Sequence, residues 1–128
     1  MGIYTIPEMA SVGISEDEAR RRHGDVIVGR ARYDEIARGL IAGISHGLLK
    51  IVADPDGVRP LGFHVLGEGA TEIIHLGQMA LLSHWEIDQF VDNIFNFPTL
   101  AEAYRVAALD VVEQREERRR PLPRASVG

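Results

Sequence analysis

The runs Leu48-Leu49-Lys50-Ile51-Val52-Ala53 and Pro60-Leu61-Gly62-Phe63-His64-Val65-Leu66, joined through Asp54-Pro55-Asp56-Gly57, decide the architecture of this chain. Both runs are rich in Leu, Ile, Val and Phe, and the four residues named between them carry strong turn chemistry, so the stretch is predicted to be a β-hairpin. Just after it, Ala70, Ile73, Ile74, Gly77 and Leu81 recur at helical spacing. That stripe predicts a helix from Glu68 to about Ser83, packed on the hairpin sheet.

Upstream, Asp25 to Arg32 is read as alternating in apolar character through Val26, Val28 and Gly29, the two-residue period of a half-buried strand. Ser15 and Glu18 form a capping box, which starts a helix near Glu16 that runs to about Arg22 and ends at Gly24. Pro7 and Gly13 make the segment before it extended or turn-like, with a short strand around Ser11 and Val12. Tyr33 to Gly43 fits no single period. Downstream, a short helix is predicted from Glu86 to Phe90 or a little beyond. A last one starts near Leu100 and carries Leu100, Ala103, Tyr104, Ala107 and Val111 on one stripe to about Glu116. The charge run from Arg115 and the Pro-containing end after it read as a solvated tail. Residues 1–116 are therefore expected to form one domain and residues 117–128 a flexible charged tail. Strands and helices mix without regular alternation and no internal repeat is visible, so the fold class is α+β, a mainly antiparallel sheet covered by helices.

Composition narrows the function classes. The chain has 128 residues, 45% hydrophobic and 26% charged, the balance of one globular domain. A net charge of -5 gives no reason to expect nucleic acid. No apolar run reaches the roughly 20 residues that span a bilayer, and no signal-peptide pattern opens the chain, so no membrane partner and a cytoplasmic setting are expected. Cysteine is absent, which rules out a disulfide framework and a redox dithiol within these residues.

The chemistry-bearing stretch is Phe95-Asn96-Phe97-Pro98-Thr99-Leu100-Ala101-Glu102-Ala103-Tyr104-Arg105. It resembles the C-terminal motif of the pyridine nucleotide-disulfide oxidoreductases, in which a His before Pro-Thr and a Glu five positions later form an acid/base pair. Phe97 stands at the His position and Glu102 at the Glu position. The resemblance extends through Thr5-Ile6-Pro7-Glu8-Met9-Ala10-Ser11-Val12-Gly13, Leu49-Lys50-Ile51-Val52-Ala53-Asp54, Leu61-Gly62-Phe63-His64-Val65-Leu66-Gly67 and Ala70-Thr71-Glu72-Ile73-Ile74. Within the family the motif is most similar to the soluble pyridine nucleotide transhydrogenases, which have an aromatic residue where disulfide reductases have His.

The resemblance implies the fold of the family's C-terminal interface (dimerisation) domain, a homodimer, and FAD and NAD(P) bound by other domains of a parent polypeptide. It also implies that Phe97, Pro98 and Thr99 contribute to the flavin site of the partner subunit. Glu102 is the retained family acid position, and two readings of it stay open: a catalytic group without its partner, or a helix first-turn carboxylate. The helix from Leu100 and the segment before it are the expected self-association surface. The glycine-rich dinucleotide fingerprints of the FAD and NAD(P) domains are not among these residues, so the match beginning near Ile3 reads as an excised domain or an independently encoded remnant. This chain alone is expected neither to bind FAD tightly nor to oxidise a nicotinamide cofactor. The alternatives are a stand-alone dimerisation or interaction module without catalysis, or a fragment of another flavoprotein disulfide reductase-like enzyme.

Other constellations carry less. Gly67-Glu68-Gly69-Ala70-Thr71-Glu72 lies between a strand and a helix, as a dinucleotide fingerprint would, but Glu72 replaces the third small residue and Glu68 adds negative charge. A plain strand-to-helix turn is the expectation. Glu68, Glu72 and His75 share a helix face without a second ligand-bearing helix, so no metal is expected. His46, His64 and His84 are expected at the surface or in structural hydrogen bonds, and Trp85 in packing.

Overall fold

The computed structural model describes residues 2–3, 8–36, 46–93 and 99–121, and the statements below concern these residues. Five antiparallel strands, β1 (Gly2–Ile3), β2 (Met9–Gly13), β3 (Ile27–Arg32), β4 (Gly47–Ala53) and β5 (Pro60–Gly67), form one sheet in the order β1-β2-β5-β4-β3. The expected hairpin is its centre. Leu49 pairs with Val65 and Ile51 with Phe63, and all four side chains are buried on the same face. The turn closes as its residues dictate. Asp54 Oδ1 accepts from the N–H groups of Val58 at 2.9 Å and Arg59 at 3.2 Å, and Gly57 takes the left-handed φ of 69°.

Three helices, α2 (Ala70–Leu82), α3 (Ile87–Asp92) and α4 (Glu102–Arg119), cover the face that holds Leu49, Ile51, Phe63 and Val65. Their contributions are Ala70, Ile74 and Ala80 from α2, Ile87 and Phe90 from α3, and Ala103, Tyr104, Ala107, Ala108 and Val111 from α4. The small residues on α4 let it lie close along β3. Helix α1 (Glu16–His23) covers one end of the opposite face, where Ala19, Val26, Val28 and Val52 form a second small core. Val26, Ile27, Val28 and Gly29 are consequently all buried, so β3 begins as a two-sided strand and becomes half-buried only toward Arg30 and Arg32.

Several expectations need correction. Ser15 caps α1 by accepting from Glu18 N–H at 3.1 Å, but the Glu18 carboxylate pairs with Arg22 one turn on. Only the hydroxyl half of the box is therefore confirmed. Tyr33 to Glu35 is a single 3-10 turn with Tyr33 buried; residues 37–45 lie outside the described residues. The last helix runs to Arg119 rather than to about residue 116, and Arg115 is not in a solvated run: it is 8% exposed. Its Nη1 donates to Gly57 O at 3.0 Å and its Nη2 to Asp88 Oδ1 at 3.1 Å, so it joins α4 to the hairpin turn and to α3. Arg118 likewise donates to Asp25 O and Val26 O.

β3 is an edge strand, and α4 guards it. Asp110, Gln114 and Arg118, one turn apart on the helix, meet Arg30 N–H, Val28 O and Val26 O respectively. These contacts satisfy backbone groups that an open edge would offer to another strand.

Candidate functional site

Of the motif singled out in the sequence, Phe97 and Pro98 lie outside the described residues, while the part from Thr99 onward is placed at the start of α4. The first turn is tight. Glu102 N–H donates to Thr99 O at 3.3 Å, Ala103 N–H to Leu100 O at 3.0 Å and Tyr104 N–H to Ala101 O at 3.1 Å, all at the three-residue spacing of a 3-10 turn. Ala101 occupies the cap position with no side-chain bond. Glu102, half-buried, is the first residue of the helix, where the amide dipoles favour a carboxylate.

Residues 99–105 are held between two helices. A Cβ built on Gly69 would lie 3.3 Å from Leu100 Cδ1, so Leu100 rests on the entry to α2. Eight residues along α2, Tyr104 Oη accepts from Gly77 N–H at 3.1 Å and donates to Ile73 O. Ile73 O and Gly77 N–H are the two ends of one i to i-4 rung, and the phenol engages both from the side. Arg105 Nε donates to Val91 O at 3.1 Å, adding α3 to the clamp. The Tyr104 ring stacks on Phe90 at 5.6 Å and tilts against Phe63 at 5.7 Å, and Trp85 packs edge-on to Phe90 at 5.2 Å. Trp85 is thus a packing residue, as expected. Burial pushes the Tyr104 hydroxyl far above the usual phenol range, so it stays a neutral donor and acceptor.

The turn before α2 is filled from within. Tyr33 Oη donates to Glu68 O at 3.0 Å, and burial, reinforced by the charges of Glu8 and Glu68, pushes that phenol up to about 12. Glu8 Oε2 accepts from Thr71 N–H at 3.3 Å and Thr71 Oγ1 at 3.0 Å. A carboxylate therefore sits on a first-turn amide of α2, where a dinucleotide phosphate would need the donors. The site does not fit such a group, in agreement with the plain-turn reading. Glu8 is the residue that sequence reasoning missed, because its partner lies 63 positions away and no spacing rule links them.

Glu68, Glu72 and His75 are exposed, and among the described residues no group of three His, Asp or Glu side chains could hold a metal ion. His64 lies within the sheet with its Nε2 3.1 Å from Ile14 O. No described helix is long and apolar enough to cross a membrane.

Of the expected self-association surface, the segment at residues 94–98 lies outside the described residues, and the apolar stripe of α4 is spent inside the domain, since Ala103, Tyr104, Ala107 and Val111 have no exposed surface, while Leu109 on the same helix is 40% exposed. Three exposed apolar side chains stand together on the outward side of α2, where Leu76 is 40%, Met79 59% and Leu82 68% exposed.

A family model described as the dimerisation domain of pyridine nucleotide-disulphide oxidoreductases matches residues 1–108. The soluble pyridine nucleotide transhydrogenase of Mycobacterium bovis is 44% identical over 114 residues, covering 89% of this chain and 24% of that protein. The enzyme of the same name from Serratia proteamaculans is 49% identical over 112 residues, covering 85% of this chain and 24% of its own length. Among solved structures, the HOCl-induced flavoprotein disulfide reductase RclA from Escherichia coli superposes with a TM-score of 0.78 at 24% identity, over 85% of this chain and 25% of that one. That likeness speaks to the fold. The chain spans 24% of the length of these transhydrogenase relatives.

Proposed function

The chain belongs to the dimerisation-domain family of the pyridine nucleotide-disulphide oxidoreductases, and from that premise we propose that it acts as the homodimeric interface domain of an FAD-dependent soluble pyridine nucleotide transhydrogenase. The observation that carries this reading is Phe97 directly before Pro98-Thr99. Thiol-disulfide chemistry needs a group there that takes a proton from one sulfur and returns it to another near neutral pH. Imidazole does so, and a phenyl ring has neither lone pair nor exchangeable proton. Bound flavin would supply hydride transfer between two nicotinamides, which requires no thiol base.

In this reading Phe97, Pro98 and Thr99 of one subunit close the flavin site of the other by shape. Leu100 and Tyr104, which follow them in the chain, are fixed on α2. Glu102 serves as the first-turn carboxylate of α4. The second copy is proposed to cover the outward side of α2, because Leu76, Met79 and Leu82 are large, apolar and adjacent, whereas the apolar stripe of α4 is already used.

Two measurements test this. Sedimentation equilibrium of the chain should give a dimer that Leu82→Glu converts to a monomer; a chain monomeric at high micromolar concentration removes the α2 surface from the reading. If the natural reading frame also encodes FAD and NAD(P) domains, its product should move hydride from NADPH to an NAD+ analogue without reducing a disulfide. Disulfide reduction by that product would sink the transhydrogenase assignment.

A further inference from the structure

We propose that the face of the sheet turned away from α2, α3 and α4 carries a binding site for a small amphipathic anion, a carboxylate with an unbranched apolar tail. The site is separate from the α2 surface assigned to the second copy and stands or falls without it. Three observations carry it.

The first is an apolar floor left open to solvent. Helix α1 closes only one end of this face, over Val28 and Val52. Beyond that end, Met9, Leu66 and Leu48 stand in register on β2, β5 and β4. Met9 is 47% and Leu66 40% exposed, and Leu48 is half-buried. Three strands at the usual spacing make this row about 10 Å long, which matches an extended chain of about eight carbons. Covering it removes apolar surface from water.

The second is the sign of the charge beside the floor. The next row of the same face is His64, Lys50 and Arg30, again in register. The two rows line a cavity of about 380 Å3, and among the described residues no Asp or Glu lines it. In a chain whose net charge is -5, this is a local reversal of sign. A cavity of this size with an apolar lining and a few convergent polar groups has the usual form of a small-ligand site.

The third is the carboxylate at the rim, Glu16, which several cations share. It accepts from Arg20 Nη2 at 2.9 Å and from Lys50 Nζ at 3.3 Å, while Arg30 Nη2 stands 3.9 Å away, beyond hydrogen-bond distance. The Arg30 side chain is 50% exposed, so its guanidinium can turn to a ligand without leaving a buried partner. A surplus of positive charge remains at Lys50 and Arg30, which suits a monoanion. Its carboxylate would meet those two side chains, and its tail would lie along Leu66 and Met9.

An NMR titration of the chain at about pH 7.5 with octanoate, kept below its micelle concentration, tests the site. Amide shifts should saturate together at residues 9–11, 48–50 and 64–66, with none of comparable size at residues 76–82. Octylammonium has the same tail and should bind about tenfold more weakly or worse, and decanoate about fivefold tighter than octanoate. Lys50→Met keeps an apolar stem and should weaken octanoate about threefold or more. Glu16→Gln releases Lys50 and Arg30 and should tighten it by a similar factor. Equal affinity for octanoate and octylammonium, or binding that neither substitution changes, would reduce the site to a plain apolar patch and overturn the proposal. Shifts centred on α2, or no saturation at the three strands below about 10 mM, would overturn it as well. If Lys50→Met does not fold, the ligand series and Glu16→Gln decide by the same outcomes.

Discussion

Gly29 lies so close to Ala107 that a Cβ added to the glycine would fall 2.2 Å from the alanine carbonyl oxygen and 2.5 Å from Val111 Cγ2. The glycine is what lets α4 lie flat on β3 and carry its residues 110, 114 and 118 to the strand edge. Gly29→Ala must push a helix backbone away, and side-chain rotation alone cannot relieve that. A loss of about 3 kcal/mol or more is expected in urea unfolding. Gly24→Ala is the useful contrast. No atom lies within 4 Å of its Cβ, but φ is +84°, so only conformational strain opposes it and about 1 kcal/mol should be lost. Equal losses at the two sites would contradict the close-approach argument.

The edge guard gives a second expectation. Gln114→Ala removes the side-chain donor to Val28 O, and Asp110→Ala the acceptor for Arg30 N–H. Each should cost about 0.5–1.5 kcal/mol. The double variant should in addition form sheet-rich aggregates on prolonged concentration, since the bared edge can pair with another strand. A double variant as stable and as free of aggregation as the original would show that α4 is not the guard.

The sheet's central hairpin, α1, α2 and the stripe of α4 were legible because each depends on local signals: the 54–57 turn, the Ser15 cap and the 3.6-residue period. What was not legible depends on distant partners. Arg115 read as part of a solvated run because its neighbours are charged, yet Gly57 and Asp88 draw it inward. Glu8 gave no signal, since Thr71 reaches it only in the folded sheet. The helix stripe containing Tyr104 was visible, but periodicity cannot separate a stripe buried within the domain from one awaiting another subunit. At the motif itself, the expected helix start near Leu100 is borne out, and the clamp by Gly69, Ile73 and Gly77 required the fold.

Arg115 should be intolerant of truncation. It is nearly buried, it donates to a carbonyl and a carboxylate, and its Nε has no hydrogen-bond partner, the nearest carboxylate oxygen, on Glu116, being 3.6 Å away. Arg115→Ala leaves Gly57 O without this donor and opens the junction of α3, α4 and the hairpin turn, so about 2–3 kcal/mol should be lost. Asp88 is 53% exposed, and water replaces its partner, so Asp88→Ala should cost under about 1 kcal/mol. Thermal melts of the two variants check the order; Asp88→Ala as damaging as Arg115→Ala would mean that the ion pair, and not the burial, holds the junction.

Acid should weaken the fold in two separable steps. Burial is the largest influence on His64 and holds its pKa below the ordinary 6.5, with Lys50 acting in the same direction and the Ile14 carbonyl and Glu16 opposing. Arg30 stands beside Lys50 across the β3–β4 pair and adds positive charge to the same face. The unfolded chain therefore takes up this proton at a higher pH than the folded one, so stability falls as pH drops from 6.5 through the folded value. Glu16 is held below 4.5 chiefly by its hydrogen bond to Arg20, then against desolvation by Lys50; its contribution is present above 4.5 and lost as pH falls through the lower folded value. His64→Gln keeps a donor for Ile14 O and removes the first titration. Urea midpoints at about pH 7.5 and about pH 5.5 should drop for the original chain and stay nearly level for His64→Gln, while both fall below about pH 4.5. A variant that follows the original chain through the first window would exclude His64 as its origin.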